Sequence, residues 1–388
     1  MDIDAPLTLL GGLSPQQFMK RHWHKKPLLV RGAIPDVQPP LARAALFALS
    51  GREEVESRLV QQGVTRKGGA PAWSLRRGPF ARRSLPPIAQ PRWTLLVQGV
   101  DLHDDAAHAL LQRFRFVPDA RLDDLMISYA TDGGGVGPHF DSYDVFLLQV
   151  QGRRRWRMGR QRDLSLRDDV PLKILAHFEP EQEFVLEPGD MLYLPPKWAH
   201  DGIAEGECMT CSIGFRAPAQ DELARELLQR IADGADETCT DTTYADATQP
   251  AVADPAQVPG GLLAFAQTSI RRALADPHAV GRALGEYLTE PKPQVWFEPS
   301  GAGDGDADIA AGVRLDRRTR MLCDDRHVFI NGESLRAGGA DARLMQRLAT
   351  RRALSAAELR RASADARAVL QDWCDAGWAH AGAAGDDE

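Results

Sequence analysis

A histidine and an aspartate two residues apart are the first side chains in this sequence that could do chemistry together. His139 and Asp141 directly precede an apolar, β-branched run, residues 143–150, which the pattern predicts to be a β-strand. Side chains at positions i and i+2 of a strand point to the same face, so the two residues could share one metal ion. Because the His-x-Asp pair is common, the site requires a further ligand elsewhere in the chain.

The best third ligand among the ten histidines is His200. A triad of two histidines and one carboxylate holds iron(II) on one side and leaves positions open for other ligands. His200 follows a strand and a tight turn, residues 189–196, that would bring a neighbouring strand back to the same mouth. His177, in a less regular stretch, is the competing candidate. The sequence therefore predicts a metal site of His139, Asp141 and His200.

The residues around the triad predict an antiparallel β-structure, because short strands alternate with turn signals and lack long helices between them. Earlier in the chain, Ser14 and Gln17 have the spacing of a helix capping box, and residues 41–60 have a helical pattern. Residues 63–92 are rich in Gly, Pro and Arg and predict irregular structure with exposed basic side chains.

The glycine-rich segment 133–137 lacks the Lys-Ser/Thr and the following helix of a nucleotide-binding loop. Glycine lets the backbone approach a neighbouring group closely. We therefore expect these glycines to serve a close approach beside His139 rather than to hold a phosphate.

Helical patterns dominate the chain beyond Pro218. Apolar residues recur at helical spacing over 223–231, and residues 262–288 predict a further helix. Their apolar stripes could pack on the β-structure or against a second copy of the chain. After a Gly/Asp-rich link, short strands and two helices, the second opened by a Ser355/Glu358 capping box, indicate a winged-helix-like module.

Composition restricts the class of protein. A chain of 388 residues predicts two or three domains, and a net charge of −7 with pI near 5.8 makes direct nucleic-acid binding an unexpected function. The sequence shows neither the basic start of a signal peptide nor an apolar run of membrane-spanning length, so we expect no membrane contact. The five cysteines are an odd number spread along the chain, which favours the reducing cytoplasm over a secreted disulfide framework.

Four motifs together resemble one known family, the bacterial JmjC ribosomal oxygenases. They are WHKKPLLVRGA from residue 23, GGGVGPHFDSYDVFLLQVQGRRRWRMG from residue 133, EPGDMLYLPPKWAHDG from residue 187, and SIGFRAP from residue 212. The resemblance covers essentially the whole chain and implies an α+β protein. It implies a double-stranded β-helix of the JmjC/cupin jelly-roll type over residues 1–217, a helical dimerisation region over 218–293 and a C-terminal winged-helix-like domain over 294–388.

The resemblance also implies the cofactor and the co-substrates. Iron(II) would be held by the predicted triad, 2-oxoglutarate would be held by Ser128 and Arg154, and dioxygen would be the second co-substrate. An arginine suits this role because its planar fork can bind a carboxylate through two hydrogen bonds. Strand parity counted from Asp141 points Arg153 and Arg155 inward instead, unless the turn at Gly152 resets the count.

The function implied by the resemblance is β-hydroxylation of an arginine in the sixteenth protein of the large ribosomal subunit, by a cytoplasmic homodimer. A substrate arginine would need carboxylates and an aromatic plane, and Asp132, Tyr143 and Asp144 flank the triad. Two alternatives stay open. One is removal of an N-methyl group from lysine or arginine, and the other is a non-catalytic metal-binding cupin that associates with ribosomes.

Overall fold

The structure, a computed structural model, describes residues 2–63, 72–235, 242–299 and 309–382. The chain divides into two compact units, Met1–Ala217 and Pro218–Glu388. The division at 217 coincides with a predicted domain boundary, while the assignment of the three predicted domains stays a prediction.

The first unit contains three helices and nine strands among its described residues. They are α1 (Pro15–Arg21), β1 (Leu28–Val30), α2 (Arg43–Leu49), β2 (Ser57–Gln62), β3 (Trp73–Arg77), β4 (Trp93–Val97), α3 (Asp105–Gln112), β5 (Leu122–Ala130), β6 (Val145–Arg160), β7 (Gln182–Leu186), β8 (Met191–Leu194) and β9 (Trp198–Phe215).

All nine strands belong to one antiparallel sheet with the order β1-β8-β6-β9-β5-β4-β2-β3, and β7 pairs with β6. The first half of β6 lies between β8 and the end of β9, whereas its second half lies between β7 and the beginning of β9. Both long strands therefore pass through two layers, and their register shifts between Gln149 and Arg153, where they bend. This connectivity is that of a double-stranded β-helix, the fold that the resemblance implied.

The outer face of the sheet packs on the N-terminal segment. Phe18 of α1 is fully buried, and its ring lies 4.9 Å from that of Tyr193 and 5.4 Å from that of Phe146. The inner face contains a second apolar cluster that includes Leu147, Trp156 and Leu192. Side chains on β6 thus alternate between an outer core that fixes the sheet and an inner space that can contain a site.

The sequence predictions for this unit are partly confirmed. The Ser14/Gln17 capping box is confirmed at the start of α1. The helix expected over 41–60 is wrong in its second half: α2 ends at Leu49, and Ser57–Gln62 is a strand. Pairing with β3 and β4 on both sides outweighs the helical pattern there. The segment 63–92 was expected to be irregular, but Trp73–Arg77 within it forms the edge strand β3. Residues 64–71, which include Arg66 and Lys67, lie outside the described residues.

The second unit contains six helices and six short strands among its described residues. They are α4 (Gln220–Ala235), α5 (Gly260–Ala273), α6 (Ala279–Thr289), β10 (Gly312–Leu315), β11 (Met321–Cys323), β12 (His327–Ile330), β13 (Glu333–Arg336), α7 (Gly339–Arg351), β14 (Ala353–Ser355), α8 (Ala356–Leu359), α9 (Ala364–Asp375) and β15 (Ala379–Ala381).

Two small antiparallel sheets, β14-β10-β15 and β11-β12-β13, share one core with α7, α8 and α9. The expected capping box of Ser355 and Glu358 opens α8 and is confirmed. The single helix expected over 262–288 is instead two helices, α5 and α6, because Pro277 in the connecting segment cannot continue a helix. None of the helices described is long and apolar enough to cross a membrane.

The packing around Phe18 yields a stability prediction. Phe18→Ala removes a fully buried ring from the outer core, and we expect a loss of about 4 kcal/mol in the free energy of unfolding of the first unit. Urea unfolding followed through hydrogen exchange of β5 and β9 measures this value. Gln16→Ala, at an exposed position of the same helix, is the control; equal stability of the two variants would contradict the role given to Phe18.

Candidate metal and co-substrate site

The structure brings His139, Asp141 and His200 together. Their candidate ligand atoms all lie within 4.8 Å of one another. His139 and His200 form an antiparallel bridge, with N–H to O distances of 2.9 and 2.8 Å, and the His200 Nε2 lies 3.7 Å from the Asp141 Oδ2. The backbone N–H of Lys197 donates to the Asp141 carbonyl at 2.8 Å and fixes the segment that carries the carboxylate. The predicted competitor His177 is exposed on the loop between β6 and β7.

Both histidine rings are oriented by hydrogen bonds to the backbone. The Nδ1 of His139 lies 2.9 Å from the Gly137 carbonyl, and that of His200 lies 2.9 Å from the Trp198 carbonyl. Since a carbonyl oxygen can only accept, each Nδ1 carries the proton and donates it. The lone pair of each neutral imidazole is then on Nε2, which is the atom that a metal ion needs.

Electrostatics also favour the neutral form of His200. The side chain is buried, and burial, followed by the neighbouring His139, lowers the pKa of His200 from its ordinary 6.5 to about 4, against an opposing effect of Asp141. A neutral imidazole is available as a ligand without first losing a proton.

The glycine-rich segment lies against the strand that carries His200. A Cβ on Gly135 would lie 2.6 Å from the Gly202 carbonyl oxygen, and a Cβ on Gly134 would lie 2.6 Å from that of Trp93. The backbone of Gly133 and Gly134 is also hydrogen-bonded to Ala204 at 2.9 Å in both directions. The expected close approach is confirmed, and the approached groups are the backbone of β9 and, at Gly134, the start of β4.

Arg154 points inward, as the family resemblance implied, and strand parity was wrong. It is 4% exposed, whereas the side chains of Arg153 and Arg155 are 54% and 45% exposed and pair with Glu205. The reason is the register shift around Gly152, which has a φ of 63° and would place a Cβ 2.1 Å from the Glu207 carbonyl oxygen. One irregular position reverses the face of every side chain that follows.

The guanidinium of Arg154 has unused hydrogen-bonding capacity. Its Nη1 donates to the Ser128 Oγ at 2.9 Å, while Nε and Nη2 are buried and have no hydrogen-bond partner among the described residues. A buried charge without a counter-charge is unfavourable. The site therefore fits an anionic group, and the carboxylate of 2-oxoglutarate is a group of this kind.

Trp156 connects the two parts of the site and was not singled out from the sequence. It lies two residues after Arg154 on the same face of β6, with its ring 5.8 Å from the His200 ring and 5.9 Å from the Arg154 Cζ. The spacing of two residues from Arg154 could have indicated that Trp156 also faces inward. This inference required knowing which face of β6 Arg154 is on.

The residues predicted to contact a substrate lie in three different settings. Asp132 is exposed, and its Oδ1 accepts a hydrogen bond from the Gly206 N–H at 2.8 Å. Tyr143 is 39% exposed, and partial burial, followed by the charge of Asp141, raises the pKa of its hydroxyl, which therefore stays protonated at neutral pH. Both residues present side-chain surface to solvent.

Asp144, the third predicted substrate contact, is fully buried. Its Oδ1 accepts from the Tyr193 hydroxyl at 2.5 Å, and its Oδ2 lies 3.1 Å from the His24 Nε2 and 3.8 Å from the Arg121 Nη2. This carboxylate ties the N-terminal segment to the start of β6 and has no surface to offer a substrate. The sequence could not separate it from an exposed flanking acid, because its partners are far away in the chain.

Comparisons with known proteins agree with this fold and geometry. The protein-family model of the JmjC domain matches residues 109–223, and the family model of the ROXA-like winged helix matches residues 272–380. The chain is 34% identical over 333 residues to the ribosomal protein uL16 3-hydroxylase of Escherichia coli, covering 82% of this chain and 84% of the relative. It is 34% identical over 210 residues to a probable ribosomal oxygenase of Haemophilus influenzae, covering 53% of this chain and 50% of the relative.

A solved structure is similar over almost the whole chain. It is that of a ribosomal oxygenase from Escherichia coli in complex with cobalt and 2-oxoglutarate, with a TM-score of 0.76, 31% identity and coverage of 94% of this chain and 97% of the other. The fold and the His-x-Asp…His site thus define a JmjC-type protein of the cupin superfamily. Within that class, the chain belongs to the family of bacterial ribosomal oxygenases that combine a JmjC domain with a ROXA-like winged helix.

The lowered pKa of His200 predicts how the stability of the metal-free protein depends on pH. Between pH 6.5 and pH 4 the unfolded chain binds a proton that the folded histidine does not bind. The free energy of unfolding should therefore fall as the pH is lowered, by about 2 kcal/mol between pH 7 and pH 5 from this residue. Urea titrations in the presence of a chelator measure the change in the free energy of unfolding. In His200→Asn, whose side chain cannot titrate, the part of the change that is due to His200 should be absent. An identical pH dependence in both proteins would contradict the prediction.

Proposed function

We propose that this protein is an iron(II)- and 2-oxoglutarate-dependent hydroxylase that acts on an arginine of ribosomal protein uL16. The observation that carries the proposal is the buried guanidinium of Arg154. Two of its donor atoms have no partner among the residues that the structure describes, and it faces the same inner space as the triad. A protein that only bound a metal would have no need of a buried cation beside it. The substrate is inferred from the relative whose name states uL16 3-hydroxylation.

In the proposed enzyme, His139 and His200 hold iron(II) through Nε2, and Asp141 holds it through its carboxylate. Arg154 and Ser128 hold the distal carboxylate of 2-oxoglutarate. The support is the donor set itself, because two imidazoles and one carboxylate on one side of a site are the ligands typical of iron(II) oxygenases. When bound, the metal and its two co-substrates supply the oxidising power that inserts one oxygen atom into an unactivated C–H bond.

The protein itself contributes orientation and exclusion of water. The Nδ1 hydrogen bonds of His139 and His200 keep both rings aimed before any ligand binds. The Trp156 ring lies 5.8 Å from the His200 ring and 5.9 Å from the Arg154 Cζ, and it belongs to a buried apolar cluster. Apolar surface and oriented ligands at a site favour reaction at the C–H bond that the substrate presents.

The central test is incubation of isolated large-subunit proteins with the purified enzyme, iron(II), ascorbate and 2-oxoglutarate, followed by mass mapping. We expect a gain of one oxygen on an arginine of uL16. Loss of a methylene group from a methylated residue would instead indicate demethylation, and no 2-oxoglutarate turnover on any ribosomal protein would indicate a non-catalytic cupin.

Two adjacent arginines offer a matched comparison for the co-substrate contact. Arg154→Met should raise the KM for 2-oxoglutarate by about a hundredfold, because a bidentate, buried ion pair is lost. Arg155→Met removes the neighbouring, exposed guanidinium, which pairs with Glu205 and Glu183 on the outer face, and should leave this KM unchanged. Equal effects of the two substitutions would contradict the assignment of Arg154.

We further propose that Asp132 is the charge partner of the substrate arginine and that Tyr143 offers the substrate an aromatic surface. Asp132→Asn can keep the acceptor for the Gly206 N–H and removes only the charge. We expect the KM for uL16 to rise about tenfold or more, since a charged hydrogen bond is lost, while uncoupled 2-oxoglutarate turnover continues. Asp132→Ala should show the same increase. An unchanged KM in the Asn variant would mean that Asp132 only accepts the hydrogen bond from the Gly206 N–H and does not bind the substrate.

The proposed active form is a cytoplasmic homodimer that pairs through α5. None of the residues of this helix is buried, and one of its faces exposes Leu262, Leu263 and Ile270 by 40%, 54% and 62%. An exposed apolar stripe of this kind is typical of an interface. A second copy of the same helix is the simplest partner, because it offers the same stripe.

The proposed interface predicts a change of oligomeric state. Ile270→Glu places a charge within the stripe and should convert the dimer to a monomer in sedimentation experiments, because an unpaired charge is unfavourable in an apolar interface. Thr268→Glu adds the same charge on the opposite face of α5 and should leave the dimer intact. A wild-type monomer, or a dimer that survives both substitutions, would overturn the proposal.

A further inference from the structure

A connected row of buried polar side chains lies beneath the proposed co-substrate site. Gln149 and Thr210 are fully buried, and Ser128 and Arg154 are each 4% exposed. Burying polar groups is costly unless they bond to one another. The hydrogen bonds among these four side chains therefore indicate their structural role.

The row starts at Arg154 and crosses three strands. The Arg154 Nη1 donates to the Ser128 Oγ at 2.9 Å, and Ser128 in turn lies 3.4 Å from the Thr210 carbonyl oxygen, to which its hydroxyl donates. The Thr210 hydroxyl donates to the Gln149 Oε1 at 2.8 Å. The row thus leads from the guanidinium back to Gln149 on the same strand as Arg154.

Gln149 ends the row at the bend of β6. Its Nε2 donates to the carbonyl oxygens of Gln151 and Gly152, at 2.9 and 3.3 Å. Those two residues lie in the register shift that turns Arg154 inward. The side-chain amide of Gln149 thereby holds two backbone carbonyls at the register shift, after which the side chains of β6 point to the opposite faces of the sheet.

The hydrogen-bonding capacity of Gln149 is directed entirely at the protein. Its amide nitrogen bonds two carbonyls, and its amide oxygen accepts from Thr210. By contrast, the Nε and Nη2 of Arg154 have no partner among the described residues. Gln149 would therefore influence a bound anion only through the position of Arg154.

We propose that Gln149, oriented by Thr210, is a positioning residue that fixes the bend of β6 and thereby sets the direction of the Arg154 guanidinium. The inference rests on the proposed function, in which Arg154 binds 2-oxoglutarate. A simple filling role does not account for the residue, because an apolar side chain of the same size would fill the space without the cost of burying an amide.

The test uses variants that change hydrogen bonds and keep volume. Gln149→Met removes both amide donors, and Thr210→Val removes the hydroxyl that orients the amide. Thr210→Ser keeps that hydroxyl and serves as the rescue. Ser212→Ala changes another buried polar residue two positions along β9, outside the row, and serves as the control.

Two measurements are made on each full-length variant. Hydrogen exchange of peptides covering residues 149–156, without any co-substrate, reports whether the bend is held. Calorimetric titration of 2-oxoglutarate into the manganese-loaded protein, together with steady-state kinetics, reports whether Arg154 remains in place. The exchange measurement does not depend on activity, so failure of this inference and failure of the proposed function are distinguishable.

We expect faster exchange over 149–156 in Gln149→Met and an affinity for 2-oxoglutarate about tenfold lower, as for the loss of one or two buried hydrogen bonds. Thr210→Val should show the same changes more weakly, and Thr210→Ser and Ser212→Ala should behave as wild type. The KM for the protein substrate and the kcat at saturating 2-oxoglutarate should stay within about threefold of wild type, because the triad and Asp132 are untouched.

Unchanged exchange and affinity in Gln149→Met would overturn the inference. A uniform loss of stability, with exchange increased throughout the first unit and both KM values raised together, would also overturn it, because it would show a general packing role. Faster local exchange in Gln149→Met, together with a wild-type protein that binds no 2-oxoglutarate, would sustain the structural part of the inference and refute the proposed function.

Discussion

The pairing of β6 with β9 is the constraint on which the rest of the first unit depends. These two strands run side by side through both layers of the jelly-roll, so each contributes to the outer core and to the inner site. His200 lies at one end of this pair, and Arg154 lies on the partner strand a short distance along it. The distance between His200 and Arg154 is therefore set by the register of the two strands, which backbone hydrogen bonds fix.

Burial gives the site its chemical character. The same burial that keeps His200 neutral surrounds the guanidinium of Arg154, whose Nε and Nη2 have no hydrogen-bond partner in the part of the chain that the structure describes. One group is thereby prepared for a cation and the other for an anion, and the Trp156 ring lies 5.8 Å from the His200 ring and 5.9 Å from the Arg154 Cζ. Opposite preferences placed this close together suit a ligand that reaches the metal with one end and Arg154 with the other.

Local patterns predicted the parts of this protein that local interactions determine. The Ser14 and Ser355 capping boxes depend on neighbours three residues away, and both were predicted correctly. The His139-x-Asp141 pair was visible in the same way, because its two residues are only two positions apart, although both precede the strand β6, which begins at Val145. For these features the sequence within a few residues contains the physical cause.

Features that depend on distant partners could not be predicted in this way. The inward direction of Arg154 depends on a bend that β9 and Gln149 stabilise, and counting positions along β6 gave the opposite answer. The burial of Asp144 depends on His24, Arg121 and Tyr193. The strand Ser57–Gln62 depends on two neighbours that the helical pattern does not show. In each case tertiary contacts decide between local alternatives of similar free energy.

The hydrogen bonds from the two Nδ1 atoms to the carbonyls of Gly137 and Trp198 have a consequence for metal choice. Rings that are already aimed require little rearrangement for any divalent ion of suitable size. Affinity in such a rigid N,N,O site follows the general order in which cobalt, nickel, copper and zinc bind more tightly than iron(II). In the proposed enzyme, ring orientation alone would therefore not select iron(II) over these other ions.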